Sequence, residues 1–172
     1  MNDADVEWLN RLPEDKAIDK FRGCCGSEAW CQTMIQRRPF ISVTELHRLG
    51  DDAMDGLGQQ DWKQAFESHP QIGDLTSLRM KFSGNKAWSA AEQSGIASAN
   101  DQILTELVKG NADYLAKFGF IFIVCASGKS AAELLSALQL RLPLNPAVEL
   151  DNAAAEQRKI THLRIDKIER IH

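Results

Sequence analysis

The dipeptide His69-Pro70 is the first candidate for chemistry, because histidine is the side chain that titrates nearest to neutral pH. Trp62 and Phe66 have helical spacing, and a residue before proline is displaced from the helical region, so the helix is predicted to end near Ser68. An imidazole at that break is held by a rigid helix without belonging to its apolar face. Two interpretations stay open, a catalytic histidine and a cationic cap at the negative helix end.

Glu92 and Gln93 are candidate site residues near the start of another predicted helix. Ser89 and Glu92 form a capping-box pattern, and the helix that they open is predicted to continue to about Gly110. On a helical wheel, Glu92 and Gln93 lie roughly 40° and 60° from the centre of the apolar stripe. Both should therefore point inward or to its margin, and the positive helix end should keep a carboxylate ionised. Glu92 can equally be a capping residue, and the two roles are compatible.

Arg164 is the third candidate, because it falls inside the apolar arc that Ile160 and Ile168 define on the last predicted helix. An arginine there either extends its charge to solvent or binds an anion, because burying it unpaired is costly. Lys167 lies in the same arc, which keeps the solvent interpretation open. His162 projects from the opposite face and is expected to be solvated.

The run Ser127-Gly128-Lys129-Ser130 follows an apolar segment, as a phosphate-binding loop would. That loop requires glycine five positions before the glycine of Gly-Lys-Ser, and Ile123 stands there. We therefore interpret the run as a turn and a helix cap.

Composition and charge exclude several classes of protein. The 172 residues are 44% hydrophobic and 26% charged, which is enough for one domain with a core, and the net charge is −4. Nucleic-acid binding is not expected, and no apolar run approaches the ~20 residues of a membrane span. The sequence begins without a signal-peptide pattern and ends without a peroxisomal tripeptide, so we expect a cytoplasmic protein.

The cysteines do not indicate a metal centre. Cys24, Cys25, Cys31 and Cys125 lack the spacing of a zinc site, and disulfides are rare in a reducing compartment. We expect them to be small buried side chains, with no metal bound.

Helical signals dominate the chain, which predicts an all-α fold with a single domain over residues 1–172. Caps are expected at Ser27, Ser42, Ser130 and Asn145-Pro146. The segment Ile121–Cys125 has strand propensity but no second strand to pair with, so it is expected to be extended or a buried helix. The fold prediction therefore includes one short extended or irregular apolar segment near residues 119–126.

The ordered motifs of this chain resemble those of the 2-oxo-4-hydroxy-4-carboxy-5-ureidoimidazoline (OHCU) decarboxylase family. They span about residues 38 to 165, and their order and separation are specific although no single motif is decisive. The matching segments are Arg38-Pro39-Phe40, His69-Pro70-Gln71-Ile72-Gly73-Asp74, Ser89-Ala90-Ala91-Glu92-Gln93-Ser94-Gly95, Tyr114 with residues 118–126, Arg141-Leu142 with Asn145 and Glu149, and Lys159-Ile160 with Leu163-Arg164-Ile165. Where the family often has Asp-Leu-Ala after the proline, this chain has Gln71-Ile72-Gly73.

The resemblance implies a compact all-α homodimer that uses no metal or organic cofactor and acts on a small molecule. The reaction that it implies is decarboxylation of OHCU, the hydrated product of 5-hydroxyisourate, to (S)-allantoin and CO₂ in urate breakdown. It assigns His69 as the proton donor and Glu92 as its assistant. It also implies a substrate-binding set of Pro70, Ser89, Ala90, Ala91, Glu92, Gln93, Phe122, Ile123, Val124, Cys125, Ala126 and Arg164.

These assignments agree with the chemistry of the side chains. The conjugated imidazoline ring can accept the electrons that CO₂ leaves behind, so the protein has to orient the ring and deliver a proton. Glu92 could orient the imidazole, Gln93 could bond a ureido group, and Arg164 could bind an anion. Two alternatives remain, a non-catalytic helical binding domain and a different enzyme of the same fold, such as a ring hydrolase.

Overall fold

The computed structural model describes residues 1–69 and 90–168, with the backbone alone described for residues 90–100. These residues form eight α-helices and no strand, which confirms the all-α prediction. The helices are α1 Asp3–Arg11, α2 Glu14–Cys24, α3 Glu28–Gln36, α4 Val43–Asp55, α5 Gln59–Glu67, α6 Ala90–Phe118, α7 Ala131–Arg141 and α8 Pro146–Ile165. Among them, none is both long and apolar enough to cross a membrane.

The described chain divides into two compact units. The first contains Met1–His69 and the described residues from Leu150 onward, and the second contains residues 90–149. The single domain over residues 1–172 stays a prediction.

Helix α3 is central to the first unit, because it packs against α2, α4 and α5. Trp30 is fully buried, and its indole N–H donates to the Gly50 carbonyl over 2.9 Å. The Phe21 ring meets Trp30 edge-on with a centroid separation of 5.8 Å, and Met34 and Leu46 are fully buried in the same unit. This core fixes the end of α2, which contributes to the site described below.

Local capping signals place the helix starts where the sequence predicts them. Ser27 and Ser42 accept from the amides of Trp30 and Glu45, and Ser130 forms a complete capping box with Glu133. The Asn145 side chain accepts from the Val148 amide over 3.0 Å, and α8 begins at Pro146. Each cap satisfies an amide that the helix itself cannot.

The predicted end of the sixth helix near Gly110 is wrong, because α6 continues to Phe118. Gly110 instead allows two helices to pack closely. A Cβ at this position would lie 2.6 Å from Leu138 Cδ2, so glycine lets α7 approach α6 closely. Directly after the helix comes Gly119, whose φ of +74° suits glycine and whose amide donates to the Leu115 carbonyl over 2.9 Å.

The prediction of buried cysteines holds for three of the four. Cys24, Cys25 and Cys31 are buried as free thiols, and Cys125 is half-buried. Burial raises the pKa of Cys24 and that of Cys31 to about 12, so both thiols are neutral at physiological pH.

Candidate active site

Helix α5 delivers His69 to the site as predicted, because the helix ends at Glu67 and Ser68 is its C-cap. The main-chain amide of His69 still donates to the Phe66 carbonyl over 3.1 Å, so the last turn of α5 fixes the backbone of His69. A Cβ on Gly26 would lie 2.5 Å from the Ser68 Cβ, so glycine at position 26 allows the end of α5 to approach the α2–α3 loop.

Helix α8 contributes a polar stripe to the same unit. Gln157 and Thr161 are buried, and Arg164 is half-buried beside them. The spacings of four and three residues put all three side chains on one helical face. The predicted apolar stripe of this helix therefore needs correction, because Ile160 is only half-buried while two polar residues are fully buried.

The imidazole of His69 joins these residues in a closed circuit of hydrogen bonds. His69 Nε2 lies 2.6 Å from Gln157 Oε1, and Gln157 Nε2 donates to Thr161 Oγ1 over 3.1 Å. The Thr161 hydroxyl donates to the Cys24 carbonyl over 3.4 Å, and Arg164 Nη1 donates to the same carbonyl over 3.2 Å. Arg164 Nη2 lies 3.3 Å from His69 Nδ1 and closes the circuit.

These partners define the protonation of His69. A guanidinium can only donate, so Nδ1 has to accept from Arg164. Gln157 Oε1 can only accept, so Nε2 has to carry the proton and donate. The imidazole in this arrangement is therefore neutral, as the Nε2–H tautomer.

The environment favours the neutral form further. Burial lowers the pKa of His69 below its usual value, and the positive charge of Arg164 lowers it as well, while the bond to Gln157 acts in the opposite direction. Nδ1 of His69 is therefore unprotonated, and in this structure it accepts from the Arg164 guanidinium.

Arg164 also reaches a cavity of about 440 Å³ in the same unit. Its lining is rich in basic side chains and consists of Asp19, Lys20, Gly23, Cys24, Arg164, Lys167 and Ile168. One guanidinium therefore contacts the imidazole and lines a positively charged cavity, an arrangement suited to an anionic ligand. The snorkelling interpretation of Arg164 is not needed to explain its position.

In the second unit, residues 121–126 have no regular secondary structure, which resolves the question of strand or buried helix. Arg141 organises the segment: Nη1 donates to the Ile123 carbonyl over 2.8 Å, and the guanidinium carbon lies 4.7 Å from the Phe122 ring centroid. Within the described chain, the amides of Phe122, Ile123 and Val124 donate no hydrogen bond. These amides can therefore serve a ligand.

A buried ion pair anchors Arg141. Glu149 is fully buried and accepts from Arg141 Nε over 2.8 Å. The Tyr114 hydroxyl donates to the same carboxylate oxygen. Burial and the bond to Glu149 raise the pKa of Tyr114, so it acts as a neutral donor. The pair thus fixes the backbone of the predicted substrate-binding segment.

Several predicted site residues cannot be compared with the structure. Pro70 and Ser89 lie outside the described residues. Ala90, Ala91, Glu92 and Gln93 belong to α6, but their side chains are also outside the described part. The structure therefore brings together His69 and Arg164 of the predicted set, and leaves the role of Glu92 a prediction.

Sequence reasoning missed Gln157 and Thr161. The available signal was that these residues share a helical face with Arg164 and with buried Ala153 and Ile165. His162 is also not freely solvated: its Nε2 bonds Asp51 over 2.8 Å, and the side chain is 38% exposed.

The described part of the chain is thus all-α, and it places a neutral histidine beside a buried amide and beside an arginine that lines a cationic cavity. Residues 10–166 match the family model of OHCU decarboxylase. The chain therefore belongs to the OHCU decarboxylase family.

Curated relatives agree with this membership. The chain is 37% identical over 150 residues to the uric acid degradation bifunctional protein TTL of Arabidopsis thaliana, covering 87% of this chain and 46% of that protein. It thus spans under half of that relative. It is 30% identical over 162 residues to the OHCU decarboxylase of Xenopus laevis, covering 94% of this chain and 92% of that one.

A solved structure is similar over the same region. A crystal structure of OHCU decarboxylase in the presence of (S)-allantoin superposes with a TM-score of 0.68 at 37% identity. The match covers 87% of this chain and 96% of that one.

Proposed function

We propose that this chain is a carboxy-lyase that converts OHCU to (S)-allantoin and CO₂ in urate breakdown. The observation that carries the proposal is the contact between the His69 imidazole and the Arg164 guanidinium, in a chain of this family. A decarboxylase for an anionic substrate needs a cation to hold the anion and a group that moves protons. This pair supplies both.

The reaction balances with these groups. The bond from the ring carbon to the carboxylate breaks, CO₂ leaves, and the electron pair passes through the conjugated ring to a ring nitrogen, which takes one proton from solvent. The hydroxyl on the same carbon then becomes the carbonyl of allantoin, and its proton is moved to the neighbouring ring carbon. His69 can accept that proton at Nδ1 and return it to one face, which gives a single enantiomer.

Glu92 would assist His69 by stabilising its cationic form, as a carboxylate does for other catalytic histidines. Contacts of the substrate with Pro70, residues 89–93 and Phe122–Ala126 stay predictions. We also propose that the protein acts in the cytoplasm and that it is a homodimer. Sedimentation equilibrium tests the homodimer, because it compares the mass in solution with the 19.2 kDa of one chain.

The direct test of the proposed function is a coupled assay with purified protein. 5-Hydroxyisourate is generated and hydrated enzymatically, and chiral allantoin is followed by circular dichroism. Formation of (S)-allantoin in proportion to the amount of protein supports the proposal. Racemic product at the uncatalysed rate contradicts it, and would favour a binding domain.

Replacing Arg164 by methionine should lower kcat/KM by about 10- to 100-fold, the equivalent of one charge-assisted hydrogen bond. KM should rise, because the side chain is proposed to hold the substrate anion. Since the positive charge of Arg164 lowers the pKa of His69, removing it raises that pKa, and the acidic limb of the pH–rate profile should move to higher pH.

The matched control is Arg158→Met on the same helix. Arg158 pairs with Asp51 and Asp55. This control should retain the kcat/KM and pH profile of the wild type. An Arg164→Met enzyme with unchanged kcat, KM and pH profile would contradict the anion-binding role.

Treatment with a metal chelator should leave the activity unchanged, because the imidazoline ring itself accepts the electrons from decarboxylation. The check is kcat after dialysis against EDTA, compared with a sample dialysed without it. Loss of activity that returns when a divalent metal is added would contradict the cofactor-independent mechanism.

A further inference from the structure

The side-chain amide of Gln157 is buried, and both its oxygen and its nitrogen have a hydrogen-bond partner. Its side chain is fully buried, its oxygen faces His69 Nε2 at 2.6 Å, and its nitrogen donates to Thr161. An amide in this position would be costly if either end lacked a partner. Nothing in the motifs that identify the family points to this residue.

The hydrogen bonds that run from Cys24 through Thr161 and Gln157 to His69 form a series, and the Cys24 carbonyl determines the direction of each of them. The Cys24 carbonyl can only accept, so the Thr161 hydroxyl uses its single proton on that carbonyl. The Thr161 oxygen must then accept from the Gln157 amide nitrogen, and this turns the Gln157 oxygen toward the imidazole. A flipped amide would place the Gln157 oxygen, an acceptor, against a Thr161 oxygen whose only proton is already donated to the Cys24 carbonyl.

Arg164 enforces the same tautomer from the other side, but it is the group proposed to hold the substrate anion. A guanidinium that turns toward that anion weakens its bond to Nδ1. The series of hydrogen bonds that orients Gln157 does not depend on the contact between Arg164 and Nδ1, because it starts at the main-chain carbonyl of Cys24.

Building on the proposed function, we propose that Gln157 is a positioning residue that holds His69 as its Nε2–H tautomer while Arg164 binds the substrate. The Nδ1 lone pair then stays available as the atom that accepts and returns the substrate proton. Without Gln157, the imidazole could carry its proton on Nδ1 and would be unable to accept there. Gln157 acts through His69 and does not contact the substrate.

The first test is the ¹⁵N spectrum of His69 in the wild-type protein and in Gln157→Leu, which needs no activity. In the wild type we expect a protonated Nε2 and an unprotonated Nδ1. In Gln157→Leu we expect a mixture of tautomers when a carboxylate such as acetate is added to occupy Arg164. A wild-type spectrum with the proton on Nδ1 would overturn the proposal, and so would an unchanged tautomer in the variant.

Kinetics provide the second test. Gln157→Leu should lose on the order of 10-fold in kcat with little change in KM. Gln157→Glu keeps an acceptor for Nε2–H and should restore kcat, with the acidic limb of the pH profile moved upward by the new negative charge. Equal kcat in all three proteins would overturn the proposal.

Two further variants separate this role from a structural one. Thr161→Val keeps the side-chain volume but removes the anchor of Gln157, and should reproduce the tautomer mixture even if Gln157→Leu fails to fold. Gln139→Leu makes the same change at an exposed glutamine that bonds Glu106, and should match the wild type. If the wild type lacks decarboxylase activity, the proposed function fails while the spectrum still decides the role of Gln157.

Discussion

The His69→Asn variant is expected to lose about 10²- to 10⁴-fold in kcat for (S)-allantoin formation, the usual contribution of a positioned proton-transfer group. Asparagine is the appropriate replacement, because its amide can still bond the buried Gln157 or the half-buried Arg164 and so limits the loss of hydrogen bonds around them. It cannot take up and return a proton near neutral pH. The measurement is the rate of appearance of the allantoin circular dichroism signal in the coupled assay.

His162→Asn is the matched control for this experiment. His162 lies on α8 and bonds Asp51, not the residues around His69. This variant should have the kcat of the wild type, and the far-ultraviolet spectra of both variants should match that of the wild type. A His69→Asn enzyme with kcat within twofold of the wild type would remove His69 from the reaction.

Replacing Glu149 by alanine should lower the free energy of unfolding by about 3–5 kcal/mol, because it leaves the largely buried Arg141 without its anion. The Tyr114 hydroxyl loses its acceptor in the same change. The effect is large because these groups are buried, whereas an exposed pair contributes about 0–1 kcal/mol. Urea denaturation followed by tryptophan fluorescence and circular dichroism provides the measurement.

The control for Glu149 is Asp113→Ala, whose exposed carboxylate pairs with the exposed side chain of Lys109 over 3.5 Å. Its unfolding free energy should change by less than about 1 kcal/mol. Because Arg141 also holds the Ile123 carbonyl, the Glu149 variant should additionally lose affinity for (S)-allantoin at temperatures where it stays folded. A loss of stability no larger than that of the control would contradict the anchoring role of the buried pair.

The helix starts and the end of α5 were predictable because their signals are local. A serine, asparagine or proline acts on amides within one helical turn, and the neighbours in the sequence are the partners in the structure. Gly110 shows the limit of this reasoning. Its sequence context is that of a helix end, but the space it leaves is filled by Leu138, which no local pattern can reveal.

The candidate site was predictable in part for the same reason. His69 and Arg164 were identified by a break in a helix and a charge in an apolar arc, and the structure brings their side chains into contact. Gln157 is 88 residues from His69 in sequence, and its role becomes visible only when the structure shows the hydrogen bond between them. A polar residue on a buried face can indicate a network, but it does not indicate which residues complete it.

The segment at residues 121–126 illustrates a different difficulty. Its aromatic and branched side chains have high strand propensity, which measures how well they pack and not which backbone partner they find. Here Phe122 packs edge-on against Tyr114, and the Ile123 carbonyl is satisfied by Arg141. Side chains have taken the place of a neighbouring strand, so the segment has no regular secondary structure in spite of its strand propensity.

The most direct measurement is a crystal structure of this protein with (S)-allantoin bound. We expect the ligand within hydrogen-bonding distance of both the Arg164 guanidinium and the His69 imidazole, with Gln157 still bonded to Nε2. Allantoin bound elsewhere, with no contact to Arg164 or His69, would contradict this account of the site.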